Sequence, residues 1–253
     1  MTLADALGAG PAEVIALVGG GGKTSAMFRL AREAVQRGGR AVITTTTKIF
    51  AAQIALAPAH VAASEATRER VQAELDRHGS VLVIGATDSS TGKADGVSLE
   101  LFHELRAWFP DACFVNEADG SRMRPFKAPA AHEPVIPVDT TLVVPVVGAD
   151  IFGKPLDADH VHRPELVSAL SGTPVDRPIT PDTVARVLTH PDGGLKGVPR
   201  GARVAVVINK VEALANRELA RETAARLLRE PAIEAVLFTA LRAEPPVLEV
   251  CRR

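Results

Sequence analysis

Residues 17–25 read LVGGGGKTS and follow directly on the apolar run Val14-Ile15-Ala16. After the glycines and the Lys-Thr pair comes TSAMFRLAREAVQRG (24–38), where Met27, Leu30, Ala31, Ala34 and Val35 recur at helical spacing before Gly38-Gly39. This order predicts a strand, a tight turn and an amphipathic helix with a glycine stop. The same alternation recurs along the chain. Short β-branched runs at 13–18, 40–45, 80–85, 112–116, 140–147, 203–209 and 233–238 are separated by longer amphipathic segments, which predicts an α/β fold. Several of these runs are apolar throughout, as expected of strands covered on both faces in a mainly parallel sheet flanked by helices. Pro145 lacks the ladder donor, so 140–147 is expected to be an edge strand or to be interrupted.

Helix boundaries are marked by caps. Ser64 opens SEATRERVQAELDRHG, which Gly79 closes; 98–109 ends before Pro110; and Thr180-Pro181-Asp182 has the order of a helix start. A last helix is expected over 211–230. The stretch 120–181 is rich in proline and histidine and weak in periodicity. It is expected to be an elaboration outside the sheet that offers a second ligand or partner surface, within a single α/β domain of 253 residues.

Composition excludes several classes. With 46% hydrophobic and 23% charged residues and a net charge of −1, the chain is an ordinary globular protein without a basic stripe, so no nucleic-acid partner is expected. No apolar run has membrane-spanning length, and the N-terminus lacks the basic and apolar regions of a signal peptide. Two cysteines, Cys113 and Cys251, provide neither a disulfide framework nor a four-cysteine zinc site, which fits a reduced cytoplasmic setting.

Matched to the phosphate-loop pattern G-x-x-x-x-G-K-[ST], Gly22-Lys23-Thr24 leaves Leu17 where the first glycine belongs. A shorter form, G-x-x-G-K-[ST], fits 19–24 and is similar to the loop of Mur-ligase-type ATP-binding enzymes. Gly20, Gly21 and Gly22 allow backbone N–H groups to turn toward phosphate oxygens at a helix N-terminus. Lys23 would reach the terminal phosphates of ATP or GTP, and Thr24, or Ser25 one register on, would offer a hydroxyl to Mg²⁺. Four glycines also suit a plain flexible turn; the strand, Lys-Thr pair and helix in the required order favour phosphate.

At the end of run 112–116, NEADG supplies Glu117 and Asp119. The carboxyl ends of parallel strands collect ligands, so Glu117 is expected to hold Mg²⁺, with Asp119 as a second catalytic carboxylate that orients an attacking group. ITTTTKIF places Thr46, Thr47 and Lys48 at the same edge, as strand-continuing residues or as phosphate contacts. Arg122, Arg124 and Lys127 follow the carboxylates and are expected to recognise an anionic substrate, although a solvated basic loop has the same composition. His132-Glu133 and His160-x-His162-Arg163 suit metal binding, proton transfer or structural hydrogen bonds alike. Near the end, Asn209-Lys210-Val211-Glu212 follows an apolar strand and resembles the guanine-reading N-K-x-D of GTP-binding proteins, with Glu212 one methylene longer than the usual aspartate.

Taken together, LVGGGGKTS, ITTTTKIF, NEADGSRMRPFKAPAAHEPVIP, VVGADIFGKPL, HVHRPE and VINKVE, in that order, resemble the YqeC family, described as accessory proteins of selenium-dependent molybdenum hydroxylases. The resemblance covers most of the chain. It implies a P-loop NTPase-like fold and a nucleotide-binding role in maturing a hydroxylase or its cofactor, with the hydroxylase or its maturation proteins as partners. Three activities fit these residues: a Mg-dependent NTPase or nucleotide-dependent transferase, a non-catalytic nucleotide-gated chaperone, and a Mur-like ligase, which would need a further substrate domain.

Overall fold

The computed structural model describes residues 1–253. Nine strands form its main sheet: β1 Val14–Gly19, β2 Ala41–Thr45, β3 His60–Ala62, β4 Ser80–Ile84, β5 Cys113–Glu117, β6 Leu142–Gly148, β7 Arg203–Asn209, β8 Ile233–Thr239 and β9 Val247–Arg252. Their order is β9-β8-β7-β6-β1-β5-β2-β4-β3, and every pair is parallel except β8 with β9. The expected mainly parallel sheet flanked by helices is therefore what the chain forms.

Apolar residues on alternate sides of β1 enter different cores. Ile15 and Leu17 pack with Leu3, Leu7, Met27 and Leu30 from α1 (Leu3–Leu7) and α2 (Lys23–Gln36). Ala16 and Val18 face the other layer. That layer holds Val167 of α5 (Pro164–Ser171), Val184 and Leu188 of α6 (Pro181–Thr189), and Leu227 of α7 (Leu214–Leu227). A third cluster under β4 and β5 joins Val71 and Leu75 of α3 (Arg68–His78) to Phe102 and Leu105 of α4 (Leu99–Trp108).

Several local expectations are corrected. Pro145 lies in a continuous β6 at the centre of the sheet, between β1 and β7. It pairs with Val18 of β1, while the pairing with β7 passes from Val143 to Val146 without a register shift, so only one side of the ladder opens to accommodate the missing donor. Because β6 is central, the stretch 120–181 is not one excursion outside the sheet but two, 120–141 and 149–181. They are tied by parallel pairing of Phe126–Lys127 with Val161–His162. The cap of α3 is Thr67, whose hydroxyl accepts from the Arg70 N–H, whereas Ser64 sits in a separate 3₁₀ turn. Strands β3 and β9 and helix α1 have too little pattern of their own; α1 is held by the buried Glu33 of α2, which accepts from the N–H groups of Leu3 and Ala4 at 3.2 and 2.7 Å. No helix is long and apolar enough to cross a membrane.

Candidate functional site

The first strand-to-helix turn lies at the carboxyl edge, beside the ends of β5 and β6. Its glycines are packed against protein backbone. A Cβ on Gly21, whose φ is +78°, would lie 2.2 Å from the Gly148 nitrogen, and one on Gly20 would lie 2.5 Å from the Arg124 carbonyl oxygen. Glycine is thus required here by close packing before any ligand is considered. The Gly20 N–H donates to the Val146 carbonyl and that of Gly21 to the Arg124 carbonyl, at 2.8 and 3.2 Å. The N–H groups of Gly22, Lys23, Thr24 and Ser25 find no acceptor in the protein, as at the open N-terminus of any helix. Available donors therefore begin at Gly22, two residues later than the glycine run suggests.

Lys23 is 3% exposed and turned back onto its own loop. Its ammonium donates to the Gly19 carbonyl at 2.5 Å and lies 3.3 Å from Asp119 and 3.5 Å from Glu117. Burial alone would lower its pKa, but Asp119 and then Glu117 outweigh that and hold it above the usual lysine value. Asp119 accepts from the Gly19 N–H with both oxygens, at 3.0 and 3.1 Å, and meets Lys127 at 3.0 Å. It braces the loop and is not free to orient a nucleophile. Glu117 accepts from the Thr24 hydroxyl at 2.9 Å, and Gln53 donates to that hydroxyl at 3.3 Å.

Above this floor opens a cleft of about 1020 Å³, lined by predicted residues from four separate stretches: Gly21 to Ser25, Thr47 with Lys48, Glu117 with Arg122, and Asn209 with Lys210 and Glu212. Gly20, Thr46, Asp119, Arg124 and Lys127 do not line it. The Thr46 hydroxyl donates to the Val135 carbonyl at 2.6 Å and pins the end of β2. Lys127 is buried, with its ammonium shared among Asp119, the Gly120 carbonyl at 2.7 Å and Glu133 at 2.5 Å. It supports the site from below and cannot meet an incoming anion. Lys48 is exposed and paired with Asp95 at 2.9 Å.

Asn209 also turns inward. Its amide donates to the Gly21 carbonyl at 2.8 Å, and its oxygen accepts from the Thr239 hydroxyl and the Leu241 N–H at 3.1 and 3.0 Å. These contacts tie β7 and β8 to the glycine loop. Lys210 pairs with Asp150 at 2.6 Å, leaving Glu212 as the member of the NKVE stretch with no protein partner for its side chain. Gln53, Lys93 and Arg242 line the cleft without belonging to any motif; tertiary folding alone brings them there.

No three His, Cys, Asp or Glu side chains converge as a metal cage. The Thr24 hydroxyl and Glu117 carboxylate suit Mg²⁺, which keeps several waters and takes few protein ligands when phosphates share its coordination.

These features define a mainly parallel α/β protein whose first strand-to-helix turn presents four unaccepted backbone N–H groups at the carboxyl edge of the sheet. A family model described as YqeC protein matches residues 15–165. "Uncharacterized protein YqeC" of Escherichia coli (strain K12) is 30% identical over 236 residues, covering 92% of this chain and 90% of that one. The chain belongs to the YqeC family. Two solved structures overlap it loosely at 14% identity. Chloroplast FtsY from Physcomitrella patens has a TM-score of 0.32, with 93% of this chain and 52% of that one covered. The signal recognition particle 54 kDa protein from Aeropyrum pernix K1, in complex with GDP, has a TM-score of 0.35, with 93% and 37% covered. The chain spans about half of the first and well under half of the second.

Proposed function

We propose that this protein binds ATP or GTP with Mg²⁺ in the large cleft and acts as a Mg-dependent NTPase or nucleotide-dependent transferase. One observation carries the reading: four unaccepted N–H groups at the start of α2, the buried Lys23 cation and the Thr24–Glu117 pair all meet at the cleft floor. The N–H groups would hold phosphate oxygens, Lys23 would leave the Gly19 carbonyl and swing toward the phosphates when nucleotide binds, and Thr24 with Glu117 would hold Mg²⁺, which supplies further charge neutralisation. In hydrolysis, a water oxygen bonds to the γ-phosphorus as the β,γ-bridging bond breaks, yielding nucleoside diphosphate and phosphate. The base would lie toward Asn209, Lys210 and Glu212, where Glu212 is the residue able to read guanine.

Calorimetric titration with ATP and GTP in Mg²⁺ tests binding, and phosphate release tests turnover. Lys23→Ala should abolish both, and Glu212→Gln should weaken GTP alone if guanine is read there. Failure of both ATP and GTP to bind the intact protein would sink the proposal.

A second reading, a nucleotide-gated binding protein without turnover, is favoured by the engagement of Asp119 with Gly19 and Lys127, which occupies the carboxylate expected to orient a nucleophile. It predicts nucleotide-dependent capture of a partner with no phosphate release. For the biological role, the family resemblance supports maturation of a selenium-dependent molybdenum hydroxylase or its cofactor. Deleting the gene should then leave the hydroxylase made but inactive; full hydroxylase activity in the deletion strain would refute that role.

A further inference from the structure

We infer that the cleft continues past the phosphate loop into a second seat, formed by Arg122, Arg124, Arg163 and His162, that holds an oxyanion group, phosphate or carboxylate, of a second ligand. This deepens the nucleotide reading by giving the class of the second molecule, but the seat rests on its own geometry. A separate cavity of about 420 Å³ is lined by these four residues together with Val161 and Glu165, and it shares Arg122, His162 and Arg163 with the large cleft.

Both basic segments are fastened to the phosphate loop. The Arg124 carbonyl accepts from the Gly21 N–H, and the Pro125 carbonyl accepts from the Gly148 N–H at 2.9 Å. Pairing of His162 with Lys127 then brings the second segment alongside the first. Arg163 is held by Glu133 at 2.6 and 3.1 Å and by the Ala128 carbonyl at 3.3 Å. Arg122 has no hydrogen bond or ion pair within the protein, and the acidic partner of Arg124 is the 90%-exposed Asp159 at 3.9 Å. Guanidinium forks left this open suit an oxyanion.

The field has the required sign on the His162 side. Burial, then Arg163, Lys127 and Arg122, push this imidazole down to about 4, against a smaller opposing pull from Glu133. His162 is therefore neutral near pH 7 and can donate one N–H without adding charge. Glu165 lines the cavity too, so the oxyanion belongs toward His162. The backbone shows a matching pattern. Arg122, Met123 and Arg163 have φ of 49°, 63° and 65°; non-glycine residues persist in this left-handed region where surrounding structure imposes it, commonly at ligand clamps.

NMR of the full chain tests the seat by titration with inorganic phosphate and, separately, acetate. The His162 ring signals report the second seat, and the Gly22 and Thr24 amide signals report the phosphate loop. Spectra are taken with and without a nonhydrolysable nucleotide and Mg²⁺. A saturable His162 response that survives nucleotide loading is expected, and the Arg122→Ala/Arg124→Ala double variant should raise the dissociation constant about tenfold. A stronger response to phosphate assigns a phosphoryl-bearing ligand, and one to acetate a carboxylate-bearing ligand; either supports the seat. Silence of His162 toward both anions, or a response unaltered in the double variant, overturns it. Nucleotide failing to move Gly22 and Thr24 would count against the nucleotide reading alone, because the His162 response is also read without nucleotide.

Discussion

At the residue scale, Asn209 shows how a residue in a stretch that resembles a base-reading motif can have a local structural duty. Its side chain satisfies the Gly21 carbonyl and the Leu241 N–H at once, so removing it orphans groups on two elements. Asn209→Ala should cost about 1–3 kcal/mol in urea unfolding and weaken nucleotide binding through the slackened loop. Normal stability in that variant would show the brace to be dispensable. Gly21 is equally constrained. Alanine there would need both a left-handed backbone and room already taken by Gly148, so Gly21→Ala should lower the melting temperature and abolish nucleotide binding, as read by thermal melts and calorimetry. Glycine richness alone therefore did not reveal which amides face a ligand; Gly20 and Gly21 proved to be donors to the protein itself.

Elements differed in how much of them could be read from pattern. The strands carrying the site were legible because continuous β-branched runs are what a two-sided sheet buries, and α2 and α6 because their spacing and caps agree. Thr180 indeed accepts from the Thr183 N–H at 3.2 Å in a capping box. The start of α3 was misplaced because Ser64 and Thr67 are both good caps, and only the backbone path distinguishes them. Thr67→Ala should destabilise the protein by about 1 kcal/mol, while Ser64→Ala should stay within about 0.5 kcal/mol; denaturant midpoints of the pair decide it. Pro145 misled for a related reason. Its missing donor is a local fact, but its cost depends on the neighbouring strand, and β7 passes it with one unpaired stretch.

Across the whole molecule, charges alternate from the glycine loop to the second cavity: Lys23, Asp119, Lys127, Glu133, Arg163. Burial favours the neutral acid at Glu133, but Arg163 and Lys127 outweigh it and bring its carboxyl down to about 2 from 4.5. The stability this gives is present above pH 4.5 and is lost as pH falls toward 2. His162 acts in a higher window. Between pH 6.5 and about 4 the unfolded chain takes up a proton there that the folded chain refuses, so stability falls with falling pH. Melting temperatures across this range should fall less steeply in His162→Gln; an unaltered slope would remove His162 as the cause. The strand-and-helix alternation, the glycine turn before α2 and the acidic end of β5 are legible in the residues alone, because each depends on periodicity or on residue type at short range. Which of those polar groups remain open depends on contacts between distant elements. Asp119, Lys127 and Asn209 carry the right chemistry for a ligand but are engaged by partners 6 to 188 residues away or by one another, and hydrogen bonds between such separated residues leave no mark on the local pattern.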